Sequence, residues 1–389
     1  MNSLFDLSNL YGLACNIWPR FPYDIPQLQT ALKPFLYLFN ITNQCNLNCY
    51  YCCQKTSLTR NRPELSFEDI AGIIKKLPRY AVIVFSGGEP LCRDDFTQLL
   101  QETRRLKRKT ALLTNGLLLN DDIICEMIQN RLLNIGIAID GDKYYYEKIK
   151  GRGNYAVVMD NVDRLAYHKK KAKSSFPAFD WKVTVFPENV SRLPLLYQQA
   201  ADHGADSFTV SFPKKNEFQF NDCLHDIAVL DCEPVSNGNY RFPENIEDIY
   251  KELFSIARTS RTRLRTYPQM KQAEDLKNYF ETSAIQKRYS ACRMPWSGMV
   301  ISSTGEAYPC LSVRIGDLKK QSLAQVLTSP ENIRFRNQLK KRSLFAICDG
   351  CCYARLKPVL KPCRSSTPAD ILSATAPATL LQWIMPLKP

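Results

Sequence analysis

Histidine is scarce in this chain of 389 residues: His168, His203 and His225 are the only three. None falls at a predicted strand end with polar partners, so each reads as a solvated or packed side chain. No apolar run reaches the ~18 residues that a membrane-spanning helix needs. No Lys or Arg precedes Arg20, and Asp6 is acidic, so the basic n-region of a secretory signal is missing. Cys15 follows Leu13 and Ala14 but lacks that n-region, which leaves a lipoprotein reading without support. Walker and Rossmann glycine patterns are absent, and no internal repeat is visible beyond a strand–helix alternation. A cytoplasmic location and no membrane partner are expected. Residues 1–34 form a short N-terminal extension, too small for an added leader-binding domain.

Cysteine, in contrast, is abundant, with 15 residues. Without an export signal these thiols face a reducing compartment, which argues against a disulfide framework and for metal or redox chemistry. The formal net charge of +14 favours an anionic partner or substrate. The basic runs Arg104–Lys109, Lys169–Lys173 and Arg258–Arg265 lie far apart, and solvated helix faces are the plainer account of each. They show no interleaved aromatics, so nucleic acid is not expected as a partner.

Six apolar runs, at 35–41, 81–87, 110–116, 134–141, 181–186 and 206–212, have the length and continuity of strands buried on both faces of a parallel sheet. Helical segments are predicted between them at 66–77, 93–108, 120–130, 154–171 and 191–204. Ser66 and Asp69 are spaced nearly as a capping box, and Asp-rich starts cap the next two. The alternation indicates an α/β barrel or a doubly wound sheet, in which chemistry sits at the C-terminal ends of strands. Residues 216–290 form a connecting region, with a helix at 246–258 followed by a basic linker. Residues 291–365 form a small cysteine-punctuated domain, and the tail at 366–389 is Pro- and Ala-rich.

Directly after the first strand stands CNLNCYYC, with Cys45, Cys49 and Cys52 spaced C-x3-C-x2-C. Chance would give this spacing about 0.02 times at such a cysteine content. Structural zinc and closed iron–sulfur sites want four ligands, so three thiols leave one position open. A zinc knuckle is the alternative, and Cys53 reads as a packed neighbour rather than a ligand. After the second strand comes SGGEP (Ser86 to Pro90), in which Gly87 and Gly88 permit close backbone approach to a ligand and Glu89 offers an acceptor to an ammonium. Thr114-Asn115-Gly116 and Asp140-Gly141 close the third and fourth strands.

These motifs, in this order, resemble the radical S-adenosylmethionine (radical SAM) superfamily over roughly residues 35–215. The resemblance implies a partial (β/α)6 TIM-like barrel. It also implies a [4Fe–4S] cluster on Cys45, Cys49 and Cys52 whose open iron takes the amine and carboxylate of S-adenosylmethionine. Tyr51 would shield the cluster and meet the adenine with its backbone. Gly87, Gly88, Glu89, Pro90, Asn115 and Asp140 would line the cofactor. Relatives often carry Ser where Ala138 stands and Arg where Lys150 stands, so Lys150 offers a point charge in place of a bidentate group.

Further on, Cys292 and Cys310 follow the pattern C-x12-G-x4-C through Gly305, and Cys348-Asp-Gly-Cys351 lies beyond. This resembles the twitch and SPASM auxiliary-cluster domains, with GEAYPC as a small hairpin. The full SPASM pattern would place cysteines at Lys357 and Lys361, which implies one auxiliary [4Fe–4S] cluster on Cys292, Cys310, Cys348 and Cys351. Cys352 and Cys363 keep a second one open, and zinc on the same four thiolates is the alternative.

The expected function is reductive cleavage of S-adenosylmethionine to a 5′-deoxyadenosyl radical that takes hydrogen from a substrate, in an oxidoreductase or maturase. A peptide or protein substrate comes first, an acidic one suiting the charge. A small molecule such as an aminocyclitol, sugar or nucleotide comes second. An external electron donor such as flavodoxin or ferredoxin is implied. A non-catalytic iron–sulfur or zinc-binding protein is the rival from another class. Arg152, Glu217 and Asp231 are available as acid, base or clamp, but the sequence does not select a catalytic residue.

Overall fold

The computed structural model describes residues 23–25, 32–52, 54, 63–213, 230, 240–280, 283–310 and 313–357. Strands β1 (Leu36–Thr42), β2 (Val82–Gly87), β3 (Lys109–Thr114), β4 (Asn134–Ala138), β5 (Ala178–Thr184) and β6 (Ser207–Ser211) match the six predicted runs to within a few residues. They pair in parallel and in chain order. Four further strands, β7 (Arg263–Tyr267), β8 (Gly298–Ile301), β9 (Glu306–Tyr308) and β10 (Gly316–Asp317), bring the sheet to ten. Its order is β10-β9-β8-β1-β2-β3-β4-β5-β6-β7.

Connecting helices cover one face: α1 (Phe67–Lys76), α2 (Phe96–Arg105), α3 (Asp121–Gln129), α4 (Lys143–Lys150), α5 (Asn154–Lys171), α6 (Leu193–Asp202) and α7 (Ile246–Thr259). Local chemistry starts them. Ser66 accepts the Asp69 N–H at 3.2 Å and Asp69 accepts the Ser66 N–H at 3.4 Å, a complete capping box. Asn120 accepts the Ile123 N–H at 2.8 Å. The Asp-rich start of α2 departs from expectation. Asp95 makes no side-chain cap bond there, because both its oxygens accept from Arg93, at 2.7 and 2.6 Å.

The helix-facing side chains of the strands form the core. Tyr37, Phe39, Ile41, Ile83, Phe85, Phe179, Trp181, Val183, Phe208 and Val210 are all buried there. Each such side chain stabilises the fold by about 1.5–3 kcal/mol. The alternate positions face inward, where burial is mixed: Leu36, Thr42, Asp180, Ser207 and Thr209 are buried as expected. Leu38, Asn40, Lys182, Thr184 and Ser211 stay half-buried, so the inner face is open enough to admit a ligand.

Two corrections concern elements. The stretch read as basic linker contains β7, paired in parallel with β6 from Ser207↔Arg263 to Ser211↔Tyr267. Its inward arginines hide the strand from an apolar pattern. The 291–365 segment, in turn, contributes β8 to the main sheet, parallel to β1 from Leu36↔Gly298 to Phe39↔Ile301. GEAYPC, expected to form a small hairpin by itself, supplies the turn glycine and β9, which pairs antiparallel with β8. Most of 214–239 and all of 358–389 lie outside the described residues, and so do the expectations placed on them.

Candidate cofactor and cluster site

The loop that follows β1 is fixed by its neighbours. Gly88 N–H donates to Thr42 O at 2.9 Å and Glu89 N–H to Gln44 O at 2.7 Å. A Cβ on Gly87, whose φ is +132°, would lie 2.3 Å from Thr42 O, and one on Gly88 would lie 2.2 Å from Gln44 O. The paired glycines therefore serve a close approach to the backbone leading into the cysteine loop, where the sequence reading expected an approach to a ligand. Arg93, which sequence reasoning missed, donates to Ile41 O at 2.9 Å and Leu65 O at 3.1 Å while Asp95 holds it.

Glu89 ends this turn, buried. Oε1 accepts from Thr114 Oγ1 at 2.7 Å and Leu91 N at 3.1 Å; Oε2 accepts from Asn115 N at 2.7 Å. Burial raises its carboxyl above the ordinary range, and these donors oppose the rise. Three of its roughly four lone-pair sites are engaged by the chain, which leaves one on Oε2 for a further donor. Pro90 opens the short 3₁₀ turn that follows. Asn115 Nδ2 donates to Asn46 Oδ1 in the cysteine loop at 2.7 Å.

On the other side of the loop, Tyr51 Oη donates to Asp140 Oδ2 at 2.5 Å, across 89 positions of sequence. Asp140 also accepts from Thr184 N at 2.7 Å and pairs with Lys150 Nζ at 2.9 Å. Both side chains are nearly inaccessible, at 2% and 3%. Lys150 donates as well to Ala138 O at 2.7 Å, so two of its three donors are engaged within the chain. Asn189, another missed residue, ties the β4 and β5 ends together by donating to Asp140 O at 2.7 Å and Thr184 O at 2.8 Å. Phe186 joins the aromatic cover, its ring 5.0 Å from Tyr51 and 5.8 Å from Tyr50.

The fold thus brings Tyr51, Gly87, Gly88, Glu89, Pro90, Asn115, Asp140 and Lys150 around the loop that bears Cys45, Cys49 and Cys52. All three are half-buried, and among the described residues none is joined in a disulfide. Burial pushes Cys45 up to about 11, with Glu89 and the other two thiols adding to the rise. Burial also raises Cys49, which Lys150 opposes. A second set gathers near the chain's C-terminal part. Burial and the neighbouring Cys351 push Cys292 up to about 12, and burial with Cys292, Cys351 and Cys310 raises Cys348 well above its ordinary value. Cys351 is lowered instead, by a hydrogen bond from Cys352. Arg288 grips the intervening loop through Asp349, with two contacts of 3.0 Å.

Among the described residues, no three His, Cys, Asp or Glu side chains are arranged to hold a single metal ion. What each thiol set shares is proximity in a buried setting, where several thiolates coexist only with positive charge among the sulfurs. That donor set fits an iron–sulfur cluster. Lys357 donates to Gln286 O at 2.8 Å, a lysine where a further SPASM cysteine would stand. Cys53, Cys363, Lys361, Glu217, Asp231 and His225 lie outside the described residues. Arg152 is exposed. His168 contacts Asp121 at 3.1 Å and His203 contacts Asp163 at 2.7 Å, on the outer helical layer. Among the described residues no helix is long and apolar enough to cross a membrane.

Comparison with known proteins agrees with this geometry. Residues 39–176 match the radical SAM superfamily model. Residues 292–352 match SPASM, an iron–sulfur cluster-binding domain. The AdoMet-dependent heme synthase of Methanosarcina barkeri is 22% identical over 85% of this chain and 91% of its own length. The PqqA peptide cyclase of Bradyrhizobium diazoefficiens is 26% identical, but over only 46% of each chain. The crystal structure of Streptococcus suis SuiB bound to its precursor peptide SuiA superposes with a TM-score of 0.60 at 15% identity. It covers 90% of this chain and 78% of SuiB, a likeness of fold. The three-thiol loop, the Gly-Gly-Glu-Pro turn on β2 and the second thiol set therefore belong to a radical SAM superfamily protein with a SPASM iron–sulfur domain.

Proposed function

We propose that Cys45, Cys49 and Cys52 hold a [4Fe–4S] cluster with one iron free for S-adenosylmethionine, and that Cys292, Cys310, Cys348 and Cys351 hold one auxiliary cluster. When bound, the first cluster with its cofactor supplies a 5′-deoxyadenosyl radical able to take hydrogen from an unactivated C–H bond. The remaining acceptor on Glu89 Oε2 suits the cofactor's amine. Asp140, held by Lys150, Tyr51 and Thr184, fixes the opposite rim of the loop. Tyr51 and Phe186 cover the site with apolar surface and limit water.

The substrate is proposed to be a peptide or protein, oxidised or otherwise modified at a C–H position. A substrate radical that loses one further electron and a proton is oxidised by two electrons in all. An auxiliary cluster held by Cys292, Cys310, Cys348 and Cys351 would offer that electron an acceptor, and a flavodoxin- or ferredoxin-like donor would supply the reducing electron. Support comes from the shared fold with SuiB, whose structure holds a precursor peptide, and from the partial match to a peptide cyclase. A second reading, modification of a tetrapyrrole, draws on the heme synthase match, which spans nearly both chains.

The single observation that carries the proposal is the convergence of Glu89, Asn115, Asp140 and Tyr51 on a loop with three half-buried cysteines. Anaerobically purified protein should contain about eight irons per chain, by the count of two four-iron clusters. With dithionite and S-adenosylmethionine it should release 5′-deoxyadenosine. Zinc in place of iron, with no cleavage, would overturn the reading in favour of a non-catalytic metal protein.

A further inference from the structure

The inner face of β5, β6 and β7 carries charge that the cofactor site does not use. Along β5, Phe179, Trp181 and Val183 are buried toward the helices, so Asp180, Lys182 and Thr184 point inward. In-register pairing sets Ala138, Lys182, Thr209 and Arg265 side by side across β4 to β7. Asp180 Oδ1 accepts from Ser207 Oγ at 2.9 Å and Thr209 Oγ1 at 2.7 Å, which fills that oxygen. Its Oδ2 faces two cations, Lys182 Nζ at 3.5 Å and Arg265 Nη1 at 3.9 Å. Both separations exceed hydrogen-bond length, so neither cation's donors are engaged by Asp180. Among the described residues neither head group makes a hydrogen bond, and Lys182 lies 5.9 Å from the Tyr267 ring. Asp180 is 5% exposed, whereas Lys182 and Arg265 are 30% and 27% exposed.

One buried carboxylate thus holds two cations in place and neutralises only one of them. We propose that Lys182 and Arg265 bind a carboxylate of the substrate on this inner wall. The inference rests on reading the inner face as the substrate side. Lys182 pairs with Ala138, two residues before Asp140, so this layer lies about 7 Å deeper along the strands than the Asp140 rim. Arg265 offers a fork that matches a carboxylate, and Lys182 adds a point charge beside it. An acidic peptide side chain and a tetrapyrrole carboxylate present the same group, and the two are told apart by experiment.

Binding to reconstituted holoenzyme, kept anaerobic and without reductant, tests this independently of turnover. One arm titrates coproporphyrin III, a carboxylated tetrapyrrole, against its methyl ester by fluorescence quenching. The other titrates a labelled Glu-rich hexapeptide against its Gln counterpart by anisotropy. One acidic probe should bind about tenfold or more tighter than its neutral partner, and Arg265→Gln or Lys182→Gln should remove most of that preference. Arg265→Lys should keep part of it. Iron content and circular dichroism establish that each variant is folded. Equal binding of acidic and neutral probes by the unaltered protein overturns the proposal, and so does a preference that survives in the Lys182→Gln/Arg265→Gln double variant. Failure of the radical SAM reading would appear elsewhere, as absent 5′-deoxyadenosine release from the unaltered protein.

Discussion

Asp140 and Lys150 form an ion pair almost sealed from water, so its value lies in what breaking it costs. Lys150→Met leaves the carboxylate with Tyr51 and Thr184 but no counter-charge, and should lower stability by about 3–5 kcal/mol. Adding Asp140→Asn should return part of that loss. Chemical denaturation of the two single variants and the double variant measures the coupling, and simple additivity would show that the pair is not the source. The cysteines make a different residue-scale prediction. Cys49→Ala should abolish 5′-deoxyadenosine release and leave about four irons per chain, those of the auxiliary cluster. Retention of all eight would move the cluster off this loop. At this scale the cysteine motifs were legible in the sequence, because their spacing is a property of neighbouring residues. The engagement of Lys150 by Ala138 O and Asp140 was not, since its partners come from β4 and the loop beyond it.

At the scale of elements, the β2 turn and the cysteine loop are a single unit. Gly88→Ala would place a Cβ 2.2 Å from Gln44 O, so the backbone leading to Cys45 must move. The expected outcome is selective loss of the first cluster, read as a fall to about four irons with the auxiliary signal intact in electron paramagnetic resonance. Gly72→Ala is the matched control. Gly72 lies within α1 with nothing within 4 Å of an added Cβ, so the change should stabilise the protein by about 0.5–1 kcal/mol. Iron loss in both variants would break the link to the turn. Helix limits were well read where caps are local: α1 spans Phe67–Lys76, one residue inside each predicted bound, with Ser66 as its cap. β7 was missed because Arg263 and Arg265 occupy its inward positions, and alternation of Arg with Leu264 and Thr266 looks like a charged linker. Asp95 was misread as a cap because a nearby arginine took both its oxygens.

For the whole molecule, the C-terminal iron–sulfur segment supplies part of the main sheet. A chain ended at residue 290 would lack β8 to β10 and leave the β1 edge unpaired from Leu36 to Phe39. Such a truncation should aggregate, measured by size-exclusion chromatography and circular dichroism. A monomer with native helix and strand content would show that the barrel segment stands without its partner strand. The net charge of +14 acts at this scale too, since it raises the local concentration of anions at an open inner face.

By itself the sequence determined the order of α/β units, the three-thiol loop after β1 and the glycine–glutamate turn after β2, because periodicity and motif spacing are properties of neighbouring residues. The tertiary structure decided which distant groups meet: Tyr51 with Asp140, β8 with β1, and Lys182 with Arg265 around Asp180. The physical reason is that hydrogen-bond register and side-chain charge pairing join residues far apart in the chain, and only the folded sheet brings them within reach.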